Sequence, residues 1–424
     1  MDDHSSSVDA LKTESRLQQH DIKLRQSIKY TVHDDAARDT GSASGARTSL
    51  ATDTHAAGHS VNTDIRSVGH HDDVDTPVAG NDVHARSAGH QNDVVAHATG
   101  RAHVSPQPMA DIVRGVYWSV HLEHLTVAGF SEAQAAQWRE KLRRGKVSEL
   151  SAGCGRMQNR LVTLDDGSQL CARYRVNNDQ IQGEVYSYYL AQLLGIHNVP
   201  PAILERADPA HARWRDVDKA LDAAKWSAHK LLVLTPFVHD LRKVYIPVEL
   251  REEERSLAPT TPSLVNASVD ELSDLLQWSD LILLDYLTAN VDRVVNNMFN
   301  LQWSAGMMAA PTHNLERAGP AGPLVFMDNE SGLLHSYRLL DKYSHYHDKL
   351  LAALCVFRKT TADAIKKYHK TGELASDIKE LFKAREPLAE RLAPLPQANV
   401  HVLNQRLAAV YRQIVHCEHL YGHR

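Results

Sequence analysis

Aromatic side chains divide this sequence into two unequal parts. Of its 26 Phe, Trp and Tyr residues, a single one, Tyr30, lies before residue 106. Residues 1–105 are built instead from Asp, His, Ser, Thr, Ala and Gly, with Gly-His pairs recurring at Gly58-His59, Gly69-His70 and Gly89-His90. Such a composition cannot bury enough apolar surface to offset the entropy of ordering a chain, so this stretch reads as a disordered stem. Eleven of the 26 histidines lie in it. A His-rich tract can bind metal weakly, but a solvated stem is the reading retained.

Any packed core must therefore come from the remaining residues. A net charge of −5 gives no reason to expect nucleic acid or an anionic membrane as the main partner. No stretch reaches the roughly 20 apolar residues that span a bilayer. The N-terminus, MDDHSSSVDALKTES, lacks the basic and apolar regions of a signal peptide, so the sequence taken literally is cytosolic.

Phe130 followed by Ser131 and Gln134 forms a capping-box pattern that starts a helix running to about Leu142. The runs Arg160–Leu164 and Gln169–Val176 flank Asp166-Gly167, a hairpin signal. With that turn, Cys171 is expected opposite Val162. Gly153-Cys154-Gly155, just before, suits a tight loop. Residues 179–194 read as an amphipathic helix along Ile181, Val185, Tyr188 and Gln192, closed by Gly195. Leu231–Leu234 reads as a strand entering Thr235-Pro236-Phe237, a connector. From Val269 the signals are mostly helical: Leu272, Leu275, Leu276, Leu283, Tyr286 and Leu287 build a buried helix ending near Ala289. Near the C-terminus Leu403, Leu407, Val410, Ile414 and Cys417 form one apolar helix face. The expected architecture is α+β and bilobal. A small hairpin-plus-helix lobe spans 106–237 and a larger helical lobe spans 238–424.

Four features supply what phosphoryl transfer needs: a carboxylate near the acceptor hydroxyl, oxygen ligands for a divalent metal, and a cation on the phosphates. Asp292-Arg-Val-Val-Asn-Asn297 has the spacing of a kinase catalytic loop, with Asp292 as base and Asn297 as metal ligand. Leu324–Met327 is an apolar strand that delivers Asp328 where kinases place a metal-binding Asp. Glu184 borders the apolar stripe of the 179–194 helix and wants a cationic partner. Arg173, eleven residues earlier, can bridge Glu184 and the nucleotide phosphates through its planar fork. Each has an ordinary alternative when taken singly: a helix-end turn, an acidic turn, a surface Glu, and a strand Arg paired with Asp165 or Asp179. The ordered set is what points to kinase chemistry.

The stretches GCGRMQNR, CARYRVNNDQIQGEVYSYYLAQLLG, LLQWSDLILLDYLTANVDRVVNNMFNLQW and LVFMDNESGLLHSYR, continued by CVFRKTTADAI and IVHCEHLYG, cover roughly 113–424. In them the chain resembles the Four-jointed family, a branch of the secretory-pathway atypical protein kinases. The resemblance implies an atypical protein-kinase fold, ATP as donor, and manganese or magnesium. It also implies Ser or Thr acceptors in extracellular cadherin domains of the Fat and Dachsous type, within planar cell polarity signalling. Asp292 then falls on the catalytic Asp, Asp328 on the metal Asp and Glu184 on the helix Glu. Arg173 stands where relatives outside this branch carry Lys. Gly153 and Gly155 are assigned to nucleotide binding beside Arg173 and Glu184. The family is anchored as a type II Golgi protein, so a chain without an anchor reads as an incomplete gene model or a soluble fragment. Two other readings stay open: a secreted pseudokinase that binds without catalysis, and a glycan kinase.

Two sequons bear on the compartment. Asn266-Ala-Ser268 is expected to carry glycan, whereas Asn329-Glu-Ser331, beside the expected metal ligand, is not. Among the four cysteines, Cys154 and Cys171 are expected too far apart for a bridge unless the chain folds back. Cys355–Cys417 is the better pairing, with free buried cysteines as the alternative.

Overall fold

The computed structural model describes residues 111–422. The expected stem, 1–105, lies outside the described residues.

The described chain opens with two short paired strands, β1 (Ile112–Val113) and β2 (Tyr117–Trp118), and a helix, α1 (Val120–Leu125). Helix α2 (Glu132–Arg144) begins with the expected capping box: Gln134 N–H donates to Ser131 Oγ, and Ser131 N–H to Gln134 Oε1 at 2.8 Å. Next come β3 (Val147–Ala152), β4 (Arg160–Leu164), β5 (Gln169–Tyr174), α3 (Asn178–Leu193), β6 (Ile203–Glu205), α4 (Asp218–Ala224) and β7 (Leu232–Pro236). The five longer strands form an antiparallel sheet in the order β3-β4-β5-β7-β6. Alternation along each strand sends Val162, Leu164, Leu170, Ala172, Leu232 and Leu234 to one face. There they pack with Leu142, Trp214 and Leu221 into a small core of their own.

The chain continues through β8 (Leu241–Tyr245), α5 (Val248–Arg251), α6 (Pro262–Val265), α7 (Val269–Thr288), α8 (Val294–Asn300), β9 (Pro311–Ala318), β10 (Leu324–Phe326), α9 (Leu340–Ala352), α10 (Lys359–Thr371), α11 (Leu374–Arg385) and α12 (Gln397–Tyr421). Strands β8, β9 and β10 make a second antiparallel sheet with β9 central. Helix α7 is the axis of the larger core. Its expected apolar positions are all buried, and Ala289 closes it in a left-handed conformation at φ +54°. The expected face of α12 is likewise buried. Two cores, one mostly sheet and one mostly helix, make the fold α+β and bilobal.

Three expectations are corrected. The boundary of the small lobe is not 106: Tyr117 and Trp118 belong to the larger core, where Trp118 N–H donates to Phe357 O at 3.0 Å and its indole to Ser279 Oγ at 3.2 Å. Helix α3 is not amphipathic. Every residue from Ile181 to Ala191 is buried, because α11, β7 and the segment after β10 cover it from different sides. Its closest approach is at Gly183, where an added Cβ would lie 2.3 Å from the Glu330 carbonyl oxygen.

The third correction concerns cysteines. Cys154 and Cys171 are disulfide-bonded, with Cα atoms 5.6 Å apart. Ala152 pairs with Arg160, and the chain then turns back through Cys154 (φ +60°) and Gly155 (φ +86°) instead of extending the hairpin. The register also places Cys171 opposite Leu161, one position from the expected Val162. The Cys355–Cys417 bridge is present as expected and ties α12 to the segment after α9, with Cα atoms 5.3 Å apart.

Candidate active site

A cleft of about 600 Å³ is lined by residues of both sheets, of α3 and of α8. One wall is the loop after β3 (Cys154, Gly155, Arg156) with Arg173 of β5, and Thr235, Pro236 and Phe237 at the end of β7 adjoin it. The other wall carries Asp292, Asn296, Met327 and Asp328. The cleft therefore lies where the sequence set out a lobe connector, a candidate base and a candidate metal ligand.

Asp292 follows the left-handed end of α7. Asn290 Oδ1 accepts its backbone N–H at 2.9 Å, and Ser331 Oγ donates to its Oδ2 at 2.8 Å. The next residue, Arg293, is completely buried and fixes this loop from beneath. Its guanidinium pairs with Asp285 of α7 and donates to Asn314 O at 3.1 Å, Met327 O at 2.8 Å and Asn329 Oδ1 at 2.6 Å. Burial pushes the Asp285 carboxyl up to about 6, with Arg293 opposing the shift.

Strand β10 is buried at all three positions and is followed by Met327. Asp328 then turns into the left-handed region at φ +54°, a conformation that costs an L-residue roughly 1–2 kcal/mol. The turn leaves Asp328 on the cleft and sends Asn329 and Glu330 inward, where they are 1% and 4% exposed. Arg173 Nη1 lies 3.0 Å from Asp328 Oδ1 and 3.4 Å from Glu330 Oε1. The expected direct Arg173–Glu184 contact is not made, and the two act on each other through charge at longer range. Glu184 Oε2 instead accepts the Asn329 backbone N–H at 2.6 Å, because α3 is drawn against this segment at Gly183. Burial pushes the Glu184 carboxyl up to about 7, with Arg173 drawing it down and Asp328 and Glu330 adding to the rise.

Two expected site residues stand elsewhere. Asn297 is fully buried, and its Nδ2 donates to Met307 O at 2.7 Å. The helix begins at Val294, and its turn of about 100° per residue places Asn296 on the cleft instead. Gly153 faces β4, where an added Cβ would lie 2.9 Å from Leu161 Cβ, whereas Gly155 lines the cleft with nothing near its Cβ direction. Asn266 is exposed after α6, while Asn329 is buried with both ends of its amide bonded.

Sequence reading missed Arg293, Arg175 and the inward role of Glu330. A signal existed for one of them. Arg173 and Arg175 stand two apart, so strand alternation puts both on one face. Arg175 is 2% exposed and bonds Glu330 Oε2 at 2.7 Å.

The residues suit a divalent cation in a limited way. Among the described residues no three His, Cys, Asp or Glu side chains converge as a metal cage. A hard divalent cation held by one or two carboxylates and substrate phosphate oxygens needs no cage, and Asp328 supplies the carboxylate.

Comparison with known proteins gives the chain a family. The family described as Four-jointed box protein middle domain matches residues 133–420. Human Four-jointed box protein 1 is 43% identical over 334 residues, which is 76% of this chain and 76% of the relative. The Drosophila melanogaster extracellular serine/threonine protein kinase four-jointed is 38% identical over 357 residues, covering 72% of this chain and 61% of that one. Among solved structures, the Golgi casein kinase with Mn/ADP bound is similar at a TM-score of 0.44 and 14% identity, over 68% of this chain and 77% of that one. Hydra Fam20 with sugar is similar at a TM-score of 0.45 and 14% identity, over 71% and 96%. The chain belongs to the Four-jointed box family.

Proposed function

We propose that this chain is a serine/threonine protein kinase of the secretory pathway that transfers the γ-phosphate of ATP to hydroxyl groups of extracellular cadherin domains. The observation that carries the reading is the convergence of Asp292, Asp328 and Arg173 on one cleft. The Drosophila relative, an extracellular serine/threonine protein kinase, supports the kinase part of the reading.

Asp292 holds the acceptor hydroxyl, a task for which its Oδ2 already accepts one hydroxyl donor, that of Ser331. Asp328 holds the divalent cation, manganese or magnesium, which neutralises the phosphate oxygens. The cleft sets Asp292 and Asp328 close to the phosphate path opposite two guanidiniums (Arg156 and Arg173), so a cation between Asp328 and the phosphates relieves the carboxylate–phosphate repulsion. Arg173 faces the phosphates, and the Gly155 loop covers them. The acceptors, of the Fat and Dachsous cadherin type, and a role in planar cell polarity follow from the family resemblance. So does residence in the Golgi lumen or outside the cell, and two disulfides suit that oxidising route. Among the described residues no helix is long and apolar enough to cross a membrane.

One observation favours a second reading, a pseudokinase that binds partners. Arg173 already engages Asp328 at 3.0 Å, and a cation must compete with it. The full chain, incubated with ATP, manganese and a cadherin-domain substrate, separates the two. Transfer is expected, with Asp292→Asn lowering it about 10²–10⁴-fold. Transfer that survives Asp292→Asn and Asp328→Ala would refute the site. No transfer and no ATP-dependent thermal shift, with cadherin binding retained, would establish the pseudokinase.

A further inference from the structure

Glu330 is a buried carboxylate on which three guanidiniums converge. Arg175 grips it with two nitrogens, Nε to Oε2 at 2.7 Å and Nη2 to Oε1 at 2.6 Å. Arg173 Nη1 lies 3.4 Å away and Arg156 Nη1 3.8 Å away. Arg175 also donates from Nη1 to Asn159 Oδ1 at 2.6 Å, and Asn159 Nδ2 donates to the Cys154 carbonyl at 2.6 Å. An unbroken path therefore runs from the loop carrying Gly155, through Asn159, Arg175, Glu330 and Arg173, to Asp328. The Cys154–Cys171 bridge anchors the same loop covalently to β5.

We propose that Glu330 is a positioning residue that sets the phosphate-facing loop and the metal-binding Asp328 in register with each other. The inference rests on the kinase reading and deepens it. In the expected arrangement the strand cation is held by the α3 glutamate; here Glu184 accepts the Asn329 amide and acts on Arg173 through charge at longer range, without the direct contact that Asp328 and Glu330 make. Glu330, two residues beyond Asp328 on the same turn, takes that role. It holds Arg173 against Asp328 and, through the bidentate Arg175, holds the loop across the cleft. A planar fork on a carboxylate fixes direction as well as distance, which suits a part whose work is alignment.

The test must separate alignment from stability, because removing one partner of a buried pair strands the other charge. Glu330→Gln is therefore accompanied by Arg175→Met/Glu330→Met, which removes both charges together and is expected to melt near the wild type. In the full chain without nucleotide, amides of residues 153–159 are expected to exchange hydrogen about 10-fold to 100-fold faster in the double variant. With ATP and manganese, KM for ATP is expected to rise by about the same factor, while kcat changes less. Wild-type exchange in the loop together with wild-type KM, in a folded double variant, would overturn the proposal and leave Glu330 a purely structural ion pair. Should the double variant not fold, Arg175→Lys keeps the charge, loses the fork and is judged by the same two readouts. If the wild type itself neither binds ATP nor transfers phosphate, the kinase reading fails separately. The exchange measurement still decides whether Glu330 fixes the loop.

Discussion

Gly183 offers a prediction in which two physical rules oppose each other. It lies inside α3, where replacing Gly by Ala ordinarily stabilises a helix by about 1 kcal/mol. Here the added methyl would sit 2.3 Å from the Glu330 carbonyl oxygen, 2.8 Å from its carbon and 2.9 Å from the Gly332 carbonyl oxygen. Ordinary carbon contacts begin near 3.5 Å, so α3 and the segment after Asp328 must separate by roughly 1 Å. All three obstructing atoms are backbone, and that segment is fixed by the Glu184–Asn329 and Arg293–Asn329 bonds, so no side chain can swing aside. Overpacking of this kind costs about 1–3 kcal/mol and outweighs the helix gain when the backbone cannot yield. With the helix gain set against it, Gly183→Ala is therefore expected to lower the melting temperature by roughly 1–3 °C. It should also weaken nucleotide-dependent stabilisation, because Glu184 and Asp328 move apart. Thermal unfolding of wild type and variant, with and without ATP and manganese, measures both effects. A melting temperature that rises, as helix propensity alone demands, would refute the close approach on which this description of the site depends.

Two further outcomes follow from buried and exposed polar groups. Glu386, 3% exposed, accepts from Tyr189 Oη at 2.7 Å and Leu204 N at 3.1 Å, and burial pushes its carboxyl up to about 7. The folded chain thus holds this proton more tightly than the unfolded one. The associated stability, roughly 3 kcal/mol, is complete below the usual glutamate range and lost as pH rises through about 7. Denaturant titrations at pH 5 and pH 8 should show a smaller loss for Glu386→Gln than for wild type, and equal losses would dismiss the assignment. Expressed in a glycosylating secretory system, Asn266 is expected to carry glycan and Asn329 none. Peptide mass spectrometry that finds glycan on Asn329 would contradict its burial.

Much of the frame is legible in the sequence because it is set by local rules. Ser131 with Gln134 starts α2, Asp166-Gly167 turns the β4–β5 hairpin, and an unbroken apolar periodicity makes α7 and α12. Those signals lie within a few residues of one another, and propensity, capping and burial all favour the same answer. The order Arg173, Glu184, Asp292, Asp328 is legible for a different reason: the chemistry needs those residue types in that sequence of elements. Strands β8 and β9 were not foreseen. They carry charged residues such as Arg242, Lys243, Glu316 and Arg317, and only pairing across the second sheet makes them strands.

What the sequence by itself determined is that the chain mixes a hairpin unit with a helical unit, and which acidic residues are candidates for the chemistry. The tertiary structure alone decided which groups meet. Asn296 and not Asn297 reaches the cleft because helical rotation is counted from where α8 starts. Cys154 reaches Cys171 because a left-handed turn reverses the loop. Arg173 contacts Asp328 and Glu330 directly, and Glu184 only at longer range, because Gly183 lets α3 settle against the Asn329 amide. The first two turn on where a local helix or turn begins, and the last on an ångström-scale approach between segments distant in the chain, of which spacing along a sequence carries no measure.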